Sequence, residues 1–137
     1  MKLPPNQACP CDSGKKFKKC CRRILEGSPA TTPEMLMRSR YTAYATGEID
    51  HILATTHPQS PHHQADQERW RQETRQFCEQ TVFTRLEVQS SREDGDQGWV
   101  LFTAHLEQAG QHIPMQEHSS FLRVEGRWLY VRAEPAD

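Results

Sequence analysis

The sequence predicts an α+β domain in which three helices pack on one face of a curved antiparallel sheet, behind a small metal-binding module. Two observations predict this order. Apolar residues recur with a helical period as far as Gln80, and from Thr81 onward they alternate with a period of two. Ahead of the helices, four of the five cysteines fall within the thirteen residues from Cys9 to Cys21.

Three helices are predicted from capping residues and apolar spacing. The first begins with Thr32 as its N-cap and ends at Gly47. The second begins at Asp50 and ends near His57, because Pro58 follows. The third covers about 65–80. Their predicted inward faces are Met37, Tyr41, Tyr44 and Ala45; Ile52 and Leu53; and Trp70, Thr74, Phe77 and Cys78.

The remaining chain predicts four antiparallel strands, covering about 81–90, 99–107, 111–124 and 127–132. Residues 91–98 are expected to form a polar turn. Ala109-Gly110 and Glu125-Gly126 predict tight turns between strands. On the first strand, Val82, Thr84, Leu86 and Val88 are expected on one face, alternating with Phe83, Arg85, Glu87 and Gln89. On the second, Val100, Phe102, Ala104 and Leu106 share one face, and Trp99, Leu101, Thr103 and His105 share the other.

A linker is predicted at residues 24–32, where Gly27, Ser28 and Pro29 interrupt regular structure. The metal-binding module with its linker then covers residues 1–27, and the α+β domain covers residues 28–137. No apolar run approaches eighteen residues, so no membrane-spanning helix is expected.

The four clustered cysteines predict a structural zinc site. Cys9 and Cys11 project to the same side of an extended segment, whereas the adjacent Cys20 and Cys21 need a bend or a helix start to reach the same ion. Four thiolates leave no position for water, which is typical of structural zinc; iron remains the alternative. The first residues lack the apolar core of a secretory signal. We therefore expect a cytoplasmic protein with reduced thiols and no disulfides.

The metal-binding module is strongly basic. Residues 1–23 hold seven basic side chains and one acidic one, Asp12, whereas the rest of the chain holds ten and seventeen. Such lysines can simply keep a small module soluble. They can also bind an acidic protein surface, or the phosphates of RNA or the ribosome. Phe17 alone is placed to stack on a base, which favours a protein partner. The predicted contact residues are Lys15, Lys16, Lys18 and Lys19.

The segment from Cys9 to Cys21, Cys-Pro-Cys-Asp-Ser-Gly-Lys-Lys-Phe-Lys-Lys-Cys-Cys, resembles the SEC-C motif found at the C-terminus of the translocation ATPase SecA and in many other bacterial proteins. The resemblance implies that Cys9, Cys11, Cys20 and Cys21 are the zinc ligands. It also implies a partner, since the motif in SecA binds a chaperone and acidic surfaces. Asp12 stands where the motif usually has glycine.

The wider chain resembles the bacterial YchJ-like family, whose molecular function is unassigned. The resemblance is carried by Leu-Met-Arg-Ser-Arg-Tyr-Thr-Ala-Tyr at 36–44, His-Pro at 57–58, Ser-Phe-Leu-Arg at 120–123 and Gly-Arg-Trp at 126–128. It implies a cone-shaped domain similar to nuclear transport factor two, written NTF2 below. Some relatives carry a second SEC-C copy, which this sequence lacks. A role that needs two copies would therefore require a homodimer formed through the sheet.

Cone domains of this kind enclose an apolar pocket, and the fold alone does not reveal what the pocket does. The expected pocket residues are Arg38, Tyr41, His118 and Trp128. An enzyme would need an acid or base inside the cone. The candidates show no recognisable catalytic spacing, so the catalytic residues stay unknown; they are His105, Glu107, Glu117, His118, Arg38 and Arg40.

These observations predict a zinc-binding adaptor protein. The basic metal module would recruit a partner, and the cone domain would support it, dimerise or bind a ligand. The alternative is a small-molecule-binding protein or a small enzyme whose site is the cone pocket.

Overall fold

The computed structural model describes residues 3–134. A 3-10 turn at Phe17–Lys19 precedes the helices α1 (Cys21–Leu25), α2 (Pro33–Thr46), α3 (Ile49–Ala54) and α4 (Gln67–Glu79), which are followed by the strands β1 (Val82–Asp94), β2 (Gln97–Gln108), β3 (Gln111–Val124) and β4 (Arg127–Ala133). The strands form one antiparallel sheet in the order β1-β2-β3-β4. The predicted α+β architecture is confirmed. Within residues 3–134, no helix is long and apolar enough to span a membrane.

Two tight turns fix the register of the sheet. Ala109 and Gly110 have φ angles of 50° and 77°, and Glu125 and Gly126 have φ angles of 51° and 80°. Two consecutive residues with positive φ match the twist of paired strands. The alternation predicted for β2 follows, with Val100, Phe102, Ala104 and Leu106 buried.

The β1 strand is longer than predicted. It continues to Asp94, which pairs with Gln97, so the turn consists of residues 95–96 and not 91–98. The polar composition of 91–94 had indicated a loop. Backbone pairing with β2 stabilises this exposed segment, and the guanidinium of Arg92 lies 4.0 Å from the centre of the Trp99 ring.

A β-bulge at Thr84 interrupts the predicted alternation at the start of β1. Phe83 pairs with Leu106 and Arg85 with His105, so Thr84 has no partner on β2. Phe83 and Leu86 therefore both face the core. Val82, which an unbroken alternation would place on the same face as Leu86, is 58% exposed.

The α2 helix lies at the centre of the molecule. The side chain of Thr32 caps its start by accepting a hydrogen bond from the Met35 amide, and Gly47 ends it in the left-handed conformation. Met37 and Tyr41 are buried against the sheet as predicted. Residues on the other side of the helix are buried as well, including Ser39, Thr42 and Ala43. The α2 helix is therefore buried on more than the one face that the sequence predicted.

The start of α2 touches the sheet closely at Gly98. A Cβ atom at this position would lie 2.3 Å from Cγ of Pro33 and 3.1 Å from the Trp128 ring. Trp128 itself is 2% exposed. Glycine thus allows the first turn of the helix to rest directly on β2.

The metal-binding module is packed into the core of the domain. The α1 helix extends to Leu25, two residues into the predicted linker, and Ile24 is buried. Cys9, Cys11, Phe17, Cys20, Cys21 and Ile24 belong to the same hydrophobic cluster as Leu36, Tyr41, Leu86 and Trp128. Burial of α1 and of the cysteines thus joins the two parts in one core, and the division at residues 27 and 28 stays a prediction.

Candidate metal centre and cone cavity

Four cysteine sulfurs converge at one point. The Sγ atoms of Cys9, Cys11, Cys20 and Cys21 all lie within 4.8 Å of one another, and all four residues are buried. In a tetrahedral site with metal-sulfur bonds of about 2.3 Å, the sulfurs are about 3.8 Å apart. The four cysteines can therefore hold one metal ion.

Local backbone structure brings the sulfurs together. The amide of Cys9 donates to the Lys15 carbonyl over 2.9 Å, which closes a short hairpin. Asp12 and Gly14 turn this hairpin with φ angles of 60° and 86°. The adjacent pair converges because Cys20 ends the 3-10 turn and Cys21 begins α1. A helix start at this pair is what the sequence had required.

The close contact between the thiols affects the pKa of Cys21 and therefore the pH dependence of cation binding. Contact with Cys11, and then with Cys9, raises the pKa of Cys21 well above its usual range, and burial raises it further. A bound divalent cation reverses this effect by neutralising the thiolates. Binding must therefore release protons, and the affinity for the ion rises with pH.

Two hydroxyl groups surround the sulfurs. Thr42, which is fully buried on α2, donates to Sγ of Cys21 over 3.3 Å and lies 3.8 Å from Sγ of Cys9. The hydroxyl of Ser13 lies 3.1 Å from Sγ of Cys20. Hydrogen bonds of this kind stabilise and orient thiolate ligands. One of them comes from the body of the protein and not from the cysteine-bearing segment.

Two further bonds fasten the metal centre to the domain. Nη1 of Arg38 donates to the Cys11 carbonyl over 2.6 Å, and Nε of the same residue pairs with Glu34. Oδ2 of Asp12 accepts a hydrogen bond of 2.8 Å from the amide of Leu86, next to the β1 bulge. Arg38 was predicted to line the cone pocket; it instead bonds to the backbone at Cys11.

Lys15, Lys16, Lys18, Lys19 and Arg23, here called the basic surface, are exposed around the metal centre and line a shallow hollow. None of the five forms an ion pair with a carboxylate in the described part of the chain. Phe17, between the lysines, is 8% exposed. Its ring packs into the core and is not available to stack on a base.

A cavity of about 510 Å³ lies between the helices and the inner face of the sheet. Tyr41 lines it, as expected. His118 and Trp128 lie elsewhere: His118 pairs with Leu101, whose side chain points to the outer face, and Trp128 is packed against Gly98. The polar residues that do line the cavity include Arg40, Tyr44, His62, Glu73, Glu117 and Tyr130.

The residue pattern of β3 could have predicted that Glu117 faces the cavity. On β3 the apolar residues Ile113, Met115 and Phe121 are an even number of positions apart. Alternate residues of a strand share a face, so Glu117 lies on the same face as these three. Its pairing with Phe102, which is buried on β2, confirms this side. His62, an exposed loop residue, also lines the cavity, and its ring centre lies 6.0 Å from that of Tyr130.

The other acid-base candidates lie on the outer face of the sheet. Nε2 of His105 lies 2.7 Å from Oε1 of Glu87, and its Nδ1 lies 3.1 Å from Nε2 of His112. The hydrogen bond with His105, followed by the charge of Arg85, lowers the pKa of Glu87. Glu107 is exposed. These groups therefore face away from the cavity.

Comparison with known proteins identifies both parts of the chain. Residues 32–133 match the family described as YchJ, middle NTF2-like domain, and residues 6–23 match the SEC-C motif. A UPF0225 protein of Deinococcus radiodurans is 36% identical over 132 residues, covering 95% of this chain and 91% of the relative.

Two solved structures have the same fold. A SEC-C motif containing protein from Rhodopseudomonas palustris superposes with a TM-score of 0.80 at 36% identity, covering 94% of this chain and 98% of that one. A second, from Psychrobacter arcticus, gives a TM-score of 0.75 at 19% identity, covering 97% and 86%. The predicted combination of a SEC-C motif with an NTF2-like domain is confirmed.

Thr42→Val should weaken metal binding, because it keeps the volume of the side chain but removes the donor to Cys21. We expect the affinity for Zn²⁺ to fall by about tenfold or more, measured by competition with a chromophoric chelator. Thr46→Val is the matched control, since that buried hydroxyl on the same helix bonds to the Thr42 carbonyl and not to sulfur. Equal affinities for the two variants would contradict the proposed role of Thr42.

Asp12→Ala should loosen the contact between the metal-binding segment and β1. Loss of the acceptor for the buried Leu86 amide should lower the free energy of unfolding by about 1–3 kcal/mol, measured by urea denaturation, and accelerate hydrogen exchange at that amide. Asp12→Asn keeps a side-chain oxygen and tolerates positive φ, so it should behave like the unmodified chain. Unchanged exchange at Leu86 in the alanine variant would show that the bond is not made in solution.

Proposed function

This chain belongs to the YchJ-like family, and we propose that it acts there as a zinc-holding cytoplasmic adaptor that binds an acidic protein through the basic surface. The observation that carries the proposal is the position of five basic side chains, without an ion pair within residues 3–134, directly around four convergent sulfurs. The metal centre holds the loop and the 3-10 turn from which these side chains project. Recognition, and not catalysis, is the role that this arrangement supports.

Zinc is the ion that best fits the donor set. Four buried cysteines without a further ligand form the closed tetrahedral environment of structural zinc. The bound ion would stabilise the fold by replacing four crowded protons with one divalent charge. Reduced thiols require a reducing compartment, which supports a cytoplasmic location.

An acidic protein is favoured over RNA because the basic surface lacks an aromatic ring. Nonspecific contacts to phosphates need only clustered lysines and arginines, but binding to single-stranded RNA normally adds stacking of bases on aromatic side chains. Phe17, the aromatic residue within the motif, is buried. A rigid group of lysines suits carboxylates presented by a protein, and charge complementarity would speed the encounter.

Neutralising the basic surface should abolish partner capture. We expect a variant with all four lysines of this surface changed to glutamine to retain Zn²⁺ and its melting temperature. The amount of partner that it captures should be at least about tenfold lower than for the unmodified chain. The measurement is affinity capture from a bacterial lysate, with and without ribonuclease. The control carries the same change of charge at four residues outside the basic surface: Arg69→Gln, Arg75→Gln, Arg127→Gln and Arg132→Gln.

Equal capture by the two variants would refute the adaptor proposal. A partner that disappears after ribonuclease treatment, and whose binding falls steeply with salt, would assign the basic surface to RNA.

A second candidate function is binding of a small molecule in the cone cavity. Its volume lies within the range of ligand sites in proteins, and its wall combines aromatic side chains with a few polar groups. Mass spectrometry of the intact chain under native conditions should reveal a bound small molecule. Met115→Trp at the cavity wall should displace it, whereas Val124→Trp, at another exposed position, should not. An identical mass for both variants would argue against an occupied cavity.

A further inference from the structure

The polar end of the cavity has an unusual arrangement of charge, and an inference about it rests on the second candidate function above. Arg40 from α2 and Glu117 from β3 both line the cavity. Tyr130 lies between them: the guanidinium carbon of Arg40 is 4.6 Å from the centre of its ring, and its hydroxyl donates to Oε2 of Glu117 over 3.1 Å.

Arg40 is buried without a carboxylate partner. It is 8% exposed, and its three hydrogen bonds all run from Nη1, to the Ile52 carbonyl and to the hydroxyls of Thr55 and Thr56. No carboxylate lies within ion-pair distance of it in residues 3–134. Buried charges are normally paired. Two carboxylates line the same cavity, Glu73 and Glu117, and Glu73 is already paired with Arg69. Glu117 is therefore the carboxylate that offsets the charge of Arg40 across the cavity.

Glu117 has unused hydrogen-bonding capacity. Its Oε2 accepts from the hydroxyls of both Tyr130 and Ser119. Its Oε1 accepts no hydrogen bond from any residue in the described range. A carboxylate offers about four acceptor positions, so at least one remains for a ligand. Glu117 and Arg40 thus present an acceptor and a donor to the same space.

The rest of the wall is mainly apolar. Phe83, Phe102, Leu106, Met115 and Phe121 from the sheet face Met37 and Phe77 from the helices. Met115 is 39% exposed and Phe77 is 37% exposed, which places them where the cavity meets solvent. A ligand would enter on this side with its polar end toward Arg40 and Glu117.

We propose that the cavity binds an uncharged, largely apolar molecule whose single polar end, an alcohol or a primary amide, accepts a hydrogen bond from Arg40 and donates one to Glu117. The charges of Arg40 and Glu117 cancel, so a neutral ligand leaves the site balanced. A carboxylate would meet Glu117, and an ammonium group would meet Arg40, each with one charge uncompensated in a largely apolar enclosure.

The test compares three ligands with the same alkyl chain: octanol, octanoate and octylammonium. Binding to the intact zinc-loaded chain is followed by the amide chemical shifts of Leu106, Ser119 and Phe121 in the cavity wall. We expect octanol to bind at least about tenfold more tightly than either ion, a difference of about 1.4 kcal/mol.

Glu117→Gln should change this ranking, because Arg40 would then be unbalanced and octanoate would bind more tightly than octanol. Glu107→Gln, a loss of the same charge on an exposed residue outside the cavity, should leave the ranking unchanged. Should Glu117→Gln fail to fold, Arg40→Gln provides the opposite variant, which should favour octylammonium.

The outcomes distinguish the claim that the cavity binds a small molecule from the claim that this molecule is uncharged. If none of the three ligands shifts the wall amides, both the cavity function and the ligand class are wrong. If octanoate or octylammonium binds the intact chain as tightly as octanol, or if neither cavity variant alters the ranking, the cavity binds ligands but the proposed class is wrong.

Discussion

The four cysteine sulfurs pack against the middle of α2, and the position of this helix determines most of the remaining structure. Thr42 donates to one sulfur from the side of the helix that faces the metal centre. Arg40, Tyr41 and Tyr44, a few residues away along the same helix, line the cavity. The metal centre and the cavity therefore share one wall, and the helix between them is buried on nearly every side.

The contacts between the metal-binding segment and the domain make the basic surface rigid, which lowers the conformational entropy that binding would cost. A flexible SEC-C segment would pay a large conformational entropy to present its lysines to a partner. Here the loop carrying them is fixed by the bond between Asp12 and Leu86, the bond between Arg38 and Cys11, and the burial of Phe17. A cation held by the four thiolates would also contribute to the local charge that a partner would meet.

Much of the fold was predictable because its signals are local. Thr32 and Gly47 bound α2, the hairpin turns set the register, and the cysteine spacing identified the metal-binding segment. The failures concern tertiary contacts. The extra residue at Thr84 puts Val82 and Leu86 on opposite faces of the sheet, and residues 91–94 are strand because β2 pairs with them. Arg38 and Arg40 are two residues apart on one helix, and periodicity alone did not show which of them faces the metal centre and which the cavity.

The shared helix constrains how such a protein evolves. A lineage that lost the four cysteines would inherit a buried hydroxyl at Thr42 whose sulfur acceptor had gone, and an unpaired hydroxyl carries a cost in a packed interior. Substitutions at positions 9, 11, 20 and 21 are thus expected to occur together with a change at position 42. In this chain the cysteine-bearing segment is part of the domain core, so replacing it would also require repacking of α2.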